Sequence, residues 1–163
     1  MTRRHLLGAG AAGLALIGAT RWSRSQAQTT AGSFEVRYSD AQWRQRLTAE
    51  QYSVLRQEGT EIPFTSPLNN EHRAGIFACG GCALPAFDAA TKFDSRTGWP
   101  SFWKPLDNAV ATTVDTTFGM TRTEVHCRRC GSHLGHVFDD GPPPTGLRYC
   151  MNGVALTFTP AAA

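Results

Sequence analysis

Two short stretches between residues 39 and 55 have the polar and apolar pattern of short helices. Ser39-Asp40-Ala41-Gln42 and Thr48-Ala49-Glu50-Gln51 each place a hydroxyl side chain three positions before a glutamine. This arrangement, the capping box, satisfies free backbone N–H groups in the first turn of a helix. Trp43 and Leu47 lie four positions apart and therefore share a helix face. The pattern predicts two short helices, which begin near residues 40 and 49.

Beyond Ala74, apolar positions tend to alternate with polar ones, which is the period of a β-strand. We predict strands over residues 75–78, 110–117, 121–126, 134–138 and 154–158. The run Gly141–Gly146 contains three successive prolines and is predicted to be a rigid surface loop. No segment repeats another, and nothing in the pattern indicates a second domain. The predicted fold class is therefore α+β, mainly β, with antiparallel strands.

The first 27 residues have the pattern of an export signal. Arg3-Arg4 precedes an apolar stretch that ends at Ala19, which is too short to span a bilayer. Thr2–Leu7 resembles the twin-arginine signal, and Ser25-Gln26-Ala27 offers small residues for cleavage. We predict an export signal over residues 1–27, a flexible leader over 28–37 and the folded domain over 38–160. The alternative is an uncut N-terminal helix that tethers the chain.

The excess of positive charge belongs to this signal. The 163-residue chain carries 16 Lys and Arg against 13 Asp and Glu, a formal net charge of +3. Residues 1–27 contain four arginines and no acid, which leaves 12 basic and 13 acidic side chains in the remainder. Arg122, Arg128 and Arg129 are predicted to be solvated. We therefore expect no nucleic-acid partner and, after processing, no stable membrane span.

The five cysteines form two C-x-x-C pairs and one single residue. The four thiols of Cys79, Cys82, Cys127 and Cys130 suit one tetrahedral metal ion, usually zinc. Two disulfides outside the cytoplasm are the alternative for these pairs. Cys150 is left without a partner, so it is either a reactive nucleophile or a small buried apolar residue.

The cysteine pairs stand among other distinctive blocks, Gly98–Phe102, His133–Pro142 and Arg148–Asn152. In order and spacing, the blocks resemble the B family of methionine sulfoxide reductases, from about Tyr38 to Phe158. The resemblance implies two antiparallel sheets with short N-terminal helices and one structural zinc ion away from the active site. It also implies reduction of the R epimer of methionine sulfoxide in proteins and peptides, as repair of oxidative damage.

The resemblance also assigns roles within the site. Cys150 is implied to attack the sulfoxide sulfur as a thiolate and to become a sulfenic acid, while His133 and His136 protonate and polarise the oxygen. The implied substrate-binding residues are Trp99, Phe138, Asp140, Arg148 and Asn152. From the residues alone, the histidines could instead bind zinc, Trp99 could belong to the core and Asp140 could cap a loop.

One departure from the family concerns the reductant. Many members have a second redox cysteine just before the Gly98–Phe102 block, where this chain has Thr97, and there is no sixth cysteine. The chain is therefore expected to depend on an external thiol, from a thioredoxin-like protein or another donor.

We interpret the sequence as that of an exported, periplasmic peptide-methionine (R)-S-oxide reductase that acts as a monomer. A non-catalytic zinc module that binds ligands beside Trp99 is one rival, but such a module has no need of a reactive Cys150. A thiol–disulfide oxidoreductase that uses a C-x-x-C pair is the other. A measurement of metal content distinguishes this rival from the reductase, because a cysteine pair bound to zinc is not free for thiol–disulfide exchange.

Overall fold

The computed structural model describes residues 34–162 of the chain. The predicted export signal and residues 28–33 of the predicted leader lie outside the described residues. Within the described range, no helix combines the length and apolar character that crossing a membrane requires.

Two short helices open the domain, and both begin where the capping boxes predict. Helix α1 is Asp40–Arg46 and helix α2 is Ala49–Gln57. The Ser39 and Thr48 hydroxyls accept hydrogen bonds from the backbone N–H groups of Gln42 and Gln51, whose side chains accept hydrogen bonds in return. Their buried residues, Trp43, Tyr52, Val54 and Leu55, face the core.

The rest of the domain is two antiparallel sheets, which confirms the predicted fold class. In order of position, the smaller sheet contains β2 (Pro85–Asp88), β1 (Gly75–Cys79) and β9 (Leu156–Pro160). The larger sheet contains β3 (Lys92–Phe93), β4 (Ser101–Phe102), β8 (Arg148–Met151), β7 (His133–Phe138), β6 (Arg122–Cys127) and β5 (Val110–Asp115). All pairings within both sheets are antiparallel.

The strand predicted over residues 154–158 begins before the observed strand and also ends before it. Residues Gly153–Ala155 form a single 3-10 turn, and β9 begins only at Leu156. The carboxylate of Glu61 accepts hydrogen bonds from the backbone N–H groups of Gly153 and Val154. The Ala155 N–H donates to the carbonyl of Asn152. These bonds occupy donors that a strand ladder would otherwise use, so the turn replaces the first residues of the strand.

Three phenylalanines join the two sheets. Phe77 and Phe87 of the smaller sheet and Phe102 of the larger sheet are each fully buried. The ring centroid of Phe102 lies 5.0 Å from that of Phe77 and 4.4 Å from that of Phe87. Aromatic pairs of this kind contribute about 0.5–1.5 kcal/mol beyond the area they bury. The cluster holds β4 in place, and β4 is the neighbour of the strand that carries Cys150.

Candidate active site

A small cleft on the larger sheet brings together most of the residues that the sequence singled out. Its volume is about 120 Å³. The residues that line it are Thr60, Trp99, Arg122, Gly135, His136, Phe138, Cys150 and Asn152. Pockets for whole small molecules usually measure about 300–1,000 Å³. This cleft therefore suits the end of one side chain rather than a whole cofactor.

The pairing of β7 with β8 creates the centre of the cleft. His136 lies directly opposite Cys150 in this antiparallel ladder. Between them in the chain is the 141–146 loop, whose length allows the two strands to meet in this register. A side chain at Gly135 would collide with the backbone carbonyl of Cys150. Glycine at this position therefore permits the close approach of the two strands.

Cys150 is half-buried and faces the cleft. Its Sγ atom lies 3.8 Å from Oγ1 of Thr97. Thr97 belongs to a short row of hydroxyl groups, in which Ser95 Oγ lies 2.8 Å from Thr97 Oγ1 and 2.7 Å from Ser101 Oγ. Cys150 therefore combines access from the cleft with a polar neighbourhood.

His136 is held by a carboxylate that the sequence analysis did not identify. Its Nε2 atom lies 2.8 Å from Asp115 Oδ2, which also accepts a hydrogen bond of 2.6 Å from Arg122. Hydrogen bonds from Thr117, first from its backbone N–H, hold the pKa of Asp115 below its usual range. An ionised Asp115 keeps a proton on Nε2, so a neutral His136 presents Nδ1 as an acceptor. Burial lowers the pKa of His136, and Asp115 opposes that shift.

His133 lies behind His136 rather than in the wall of the cleft. The two ring centroids are 5.3 Å apart, and His133 is almost fully buried. Its Nδ1 atom lies 2.9 Å from Glu124 Oε1. Although burial favours the neutral acid, hydrogen bonds from His126 and His133 lower the pKa of Glu124 to about 2. The Nε2 atom of His133 is buried without a partner among the described residues.

Glu61, another residue that the sequence analysis missed, ties two walls of the cleft together. Its backbone carbonyl accepts a hydrogen bond of 2.9 Å from the Trp99 indole. Its backbone N–H donates to Asn152 Oδ1 over 2.8 Å. The Asn152 amide also donates to the carbonyl of Leu134 at 3.2 Å, so both ends of this side chain are bonded within the protein. The only sequence signal for Glu61 was its place in a loop after α2, and this is too general to predict such a role.

Arg148 and Asp140 bind each other outside the cleft lining. Two hydrogen bonds, of 2.8 and 2.9 Å, join the guanidinium to the carboxylate. The guanidinium also lies over the ring of Phe138, 4.4 Å from its centroid. The pair thus supports Phe138, which does line the cleft. Hydrogen bonds from Arg148 lower the pKa of Asp140.

The prediction that Arg122 is solvated is wrong. Its side chain is 24% exposed and lines the cleft, and its Nε atom is buried without a partner among residues 34–162. In the sequence, Arg122 shares with Arg128 and Arg129 only its charge. The side chains of a strand alternate between the two sheet faces, and charge does not show which face each one occupies.

The four remaining cysteines form a separate group. Cys79 and Cys82 flank the turn after β1, and Cys127 and Cys130 flank the turn after β6. All four sulfurs lie within 4.8 Å of one another, and none forms a disulfide. The Cys79–Cys130 and Cys82–Cys127 sulfur distances are 3.7 and 3.5 Å. A tetrahedral site with Zn–S bonds of about 2.3 Å requires sulfurs about 3.8 Å apart, so this donor set fits a zinc ion.

The four-cysteine group and the cleft share no residue. Within the described part of the chain, the cysteine group contains neither His133 nor His136. Trp103, which directly follows the Gly98–Phe102 block, lines a different depression beside Lys104 and Pro105.

Comparison with known proteins gives the family. The model of the SelR domain matches residues 47–160. A relative from Agrobacterium fabrum is 54% identical over 127 residues, which are 77% of this chain and 94% of the relative. One from Pseudomonas putida strain W619 is 59% identical over 120 residues, 73% of this chain and 90% of the relative. One from Thiobacillus denitrificans is 55% identical over 123 residues, 75% of this chain and 93% of the relative.

All three relatives are named peptide methionine sulfoxide reductase MsrB. The similarity covers the two cysteine pairs, the cleft residues and both sheets. The chain therefore belongs to the methionine sulfoxide reductase B family of oxidoreductases, which is the family of the SelR domain.

Proposed function

We propose that this protein reduces the R epimer of methionine sulfoxide in proteins and peptides and so repairs oxidative damage. The observation that carries the proposal is the position of the Cys150 thiol, opposite His136 in a cleft walled by Trp99. The cleft has room for the end of a methionine sulfoxide side chain. The names of the similar proteins support the same activity.

In the proposed first step, the Cys150 thiolate attacks the sulfoxide sulfur while a proton is delivered to the oxygen. The attack forms a bond between the two sulfurs. The protonated oxygen then passes to the Cys150 sulfur as the S–O and S–S bonds of this adduct break, and methionine leaves as a sulfide. The oxygen and the proton end as the hydroxyl of a sulfenic acid on Cys150. The substrate sulfur gains two electrons and the Cys150 sulfur loses two, so the step balances without another reactant.

His136 is the principal proton donor in this proposal, since it lines the cleft and His133 does not. Its Nε2 proton is engaged by Asp115, so it must be doubly protonated before Nδ1 can donate to the sulfoxide oxygen. His133 supports the His136 ring from behind. Trp99 packs against the substrate methyl group, and Phe138 forms an opposing apolar contact.

An external thiol then regenerates the enzyme. It attacks the sulfenic acid, releases water and forms a mixed disulfide with Cys150, which a second thiol reduces. The proposal rests on Thr97, which supplies no sulfur beside Cys150, and on the grouping of the other four cysteines elsewhere. A thioredoxin-like protein or a small thiol could serve as this donor.

Cys79, Cys82, Cys127 and Cys130 would hold one structural zinc ion. When bound, the ion supplies a link between the two turns and thus folding free energy rather than chemistry. The predicted export signal favours work outside the cytoplasm, and the compact cleft requires no more than a monomer.

The purified chain should be tested against resolved R and S epimers of N-acetylmethionine sulfoxide with dithiothreitol as the thiol. Turnover of the R epimer alone, lost in Cys150→Ser with folding and zinc content retained, is the expected result. Activity in the serine variant, or equal rates on both epimers, would contradict the assignment. Reduction of a disulfide peptide with no sulfoxide turnover would favour a thiol–disulfide oxidoreductase instead.

A further inference from the structure

A second depression, the side groove, adjoins the cleft. It has a volume of about 330 Å³ and includes Phe64, Lys92, Asp94, Arg96 and Trp99 in its lining. Trp99 lines both the side groove and the cleft. The two depressions are therefore neighbours that share one indole.

Phe64 is an unusual residue for a protein surface, because 72% of its surface is exposed. Its backbone has φ = 67°, in the left-handed region that a phenylalanine seldom adopts. The Phe64 N–H donates a hydrogen bond of 2.7 Å to the carbonyl of Gly98, the residue before Trp99. A Cβ atom at Gly98 would lie 2.9 Å from Cδ2 of the Phe64 ring, so glycine permits this contact. An exposed aromatic ring is thus anchored to the segment that carries the cleft wall.

The side groove carries more positive than negative charge. Lys92 and Arg96 contribute two cations, and neither forms an ion pair with another of residues 34–162. Asp94 contributes one carboxylate, which accepts a hydrogen bond from the Arg96 backbone N–H. Glu71, the other acid near Lys92, is paired with Arg73. The groove therefore favours a ligand that carries negative charge.

The size of the cleft determines where the rest of a substrate must lie. At about 120 Å³, the cleft accepts a side-chain end but no polypeptide backbone. The residues that flank an oxidised methionine must then run over the surface beside Trp99. An extended chain advances about 3.3 Å per residue, so the nearest flanking residues reach a depression that begins on the same indole.

We propose that the side groove binds the polypeptide that flanks the oxidised methionine, with Phe64 as its apolar contact and Arg96 and Lys92 as the groups that select a nearby acidic side chain. This inference rests on the proposed function and defines its substrate class more closely. The preferred substrate is an accessible methionine sulfoxide with Asp or Glu within about two residues, because the groove begins on the indole that walls the cleft and an extended chain advances only about 3.3 Å per residue.

The test compares three substrates: N-acetylmethionine-R-sulfoxide, a pentapeptide with glutamate beside the sulfoxide and a matched pentapeptide with lysine there. Phe64→Ala should lower kcat/KM about fivefold for both peptides, mainly through KM, and should spare the minimal substrate. Arg96→Glu should remove or reverse the preference for the glutamate peptide, an effect of up to about fivefold at low salt. That preference should shrink as ionic strength rises. Val114→Ala is the matched control, because Val114 is 67% exposed but lines neither depression.

The outcomes separate this inference from the proposed function. If the wild-type protein does not reduce the minimal substrate, the proposed function itself is wrong. If that substrate is turned over normally and the peptide kinetics are unchanged in both variants, the proposed role of the side groove is wrong and the proposed function is unaffected. An equal loss of kcat/KM on the minimal and the peptide substrates in Phe64→Ala would show that Phe64 acts only through Trp99. This result would also contradict the proposed role of the side groove. A change confined to the KM for thioredoxin would assign the groove to the reductant and would also overturn the inference.

Discussion

The hydroxyl oxygen of Thr97 lies 3.8 Å from the sulfur of Cys150, although 53 positions separate the two residues in the chain. The resemblance of the sequence to the family implies a second redox cysteine at the place of Thr97 in many members. The contact shows that position 97 adjoins the candidate nucleophile in this protein. The side chain at position 97 therefore decides whether oxidised Cys150 has a thiol partner within the same domain.

The first prediction is that Thr97→Cys creates an internal disulfide route. A cysteine sulfur at this position starts near the Cys150 sulfur, and a small rotation can bring the pair to the disulfide bond length of about 2 Å. After one turnover without reductant, mass spectrometry should find a disulfide between the introduced cysteine and Cys150 in the variant. The wild-type protein should instead yield a sulfenic acid that a trapping reagent labels.

Thr97→Ser is the matched control, because it keeps the hydroxyl group and adds no sulfur. It should behave like the wild-type protein in the trapping experiment. A wild-type disulfide between Cys150 and one of the four grouped cysteines would show that a metal-site thiol acts as the resolving residue, and the external-thiol proposal would fail.

The second prediction is that the purified domain holds one zinc ion and that Cys82→Ser removes both the ion and the stable fold. Structural zinc sites have apparent binding free energies of about 10–16 kcal/mol. Whole domains are usually stable by only about 5–15 kcal/mol. Metal analysis and thermal unfolding measure the two effects, with Cys150→Ser as the control that retains zinc. A metal-free wild-type protein with two disulfides would rule out this site.

The third prediction concerns the pH dependence of turnover and Asp115. Burial lowers the pKa of His136, and Asp115 is the group that raises it again. In Asp115→Asn the pKa of His136 should fall further, so less of the doubly protonated donor exists at neutral pH. The loss of kcat should be smallest at acid pH and should reach its full size above the wild-type pKa. This loss of kcat should be smaller than the loss of about 10²–10⁴-fold that is expected when a general acid is removed.

A pH–rate profile of wild-type protein and Asp115→Asn tests this prediction. Asp107→Asn is the control, since its side chain is 89% exposed and, among the residues that the structure describes, forms an ion pair only with Lys104. A loss that is the same at every pH would indicate that Asp115 acts on folding or on Arg122 rather than through protonation of His136.

The fourth prediction is that Asn152 acts chiefly by positioning other groups. Asn152→Ala leaves the buried N–H of Glu61 without its acceptor, which should lower the free energy of unfolding by about 1–3 kcal/mol. Because the Glu61 carbonyl holds the Trp99 indole, the KM for substrate should rise as well. Denaturant unfolding and steady-state kinetics measure the two effects, and Gln45→Ala, an exposed amide on α1, is the control. Unchanged stability with lost activity would point to direct contact with substrate.

The fifth prediction tests the export signal. Changing Arg3 and Arg4 together to lysine should trap the precursor inside the cell, because the twin-arginine route reads that pair. Fractionation followed by immunoblotting measures the distribution, and the wild-type precursor is expected to be cut near Ala27. Undiminished export of the double variant would exclude this route.

Local patterns in the sequence predict the helix starts, the hairpin strands, the group of four cysteines and the single thiol. These features depend on local chemistry, since a capping box or a C-x-x-C pair brings its members together within a few positions of the chain. Alternation likewise predicts a strand without knowledge of its neighbours. The short strands β2, β3, β4 and β8 were missed because, with two to four residues each, they offer too little periodicity.

The main contacts that hold the cleft together are long-range. The bonds from Trp99 to Glu61 and from His136 to Asp115 join residues 38 and 21 positions apart, and the sequence carries no local mark of either. They form because β5, β6 and β7 pair in one register and because the loop after α2 passes beside Trp99. The same assembly turned Arg122 into the cleft and placed Thr97 beside Cys150. A residue's type limits what it can bond, but long-range strand pairing determines what it actually meets.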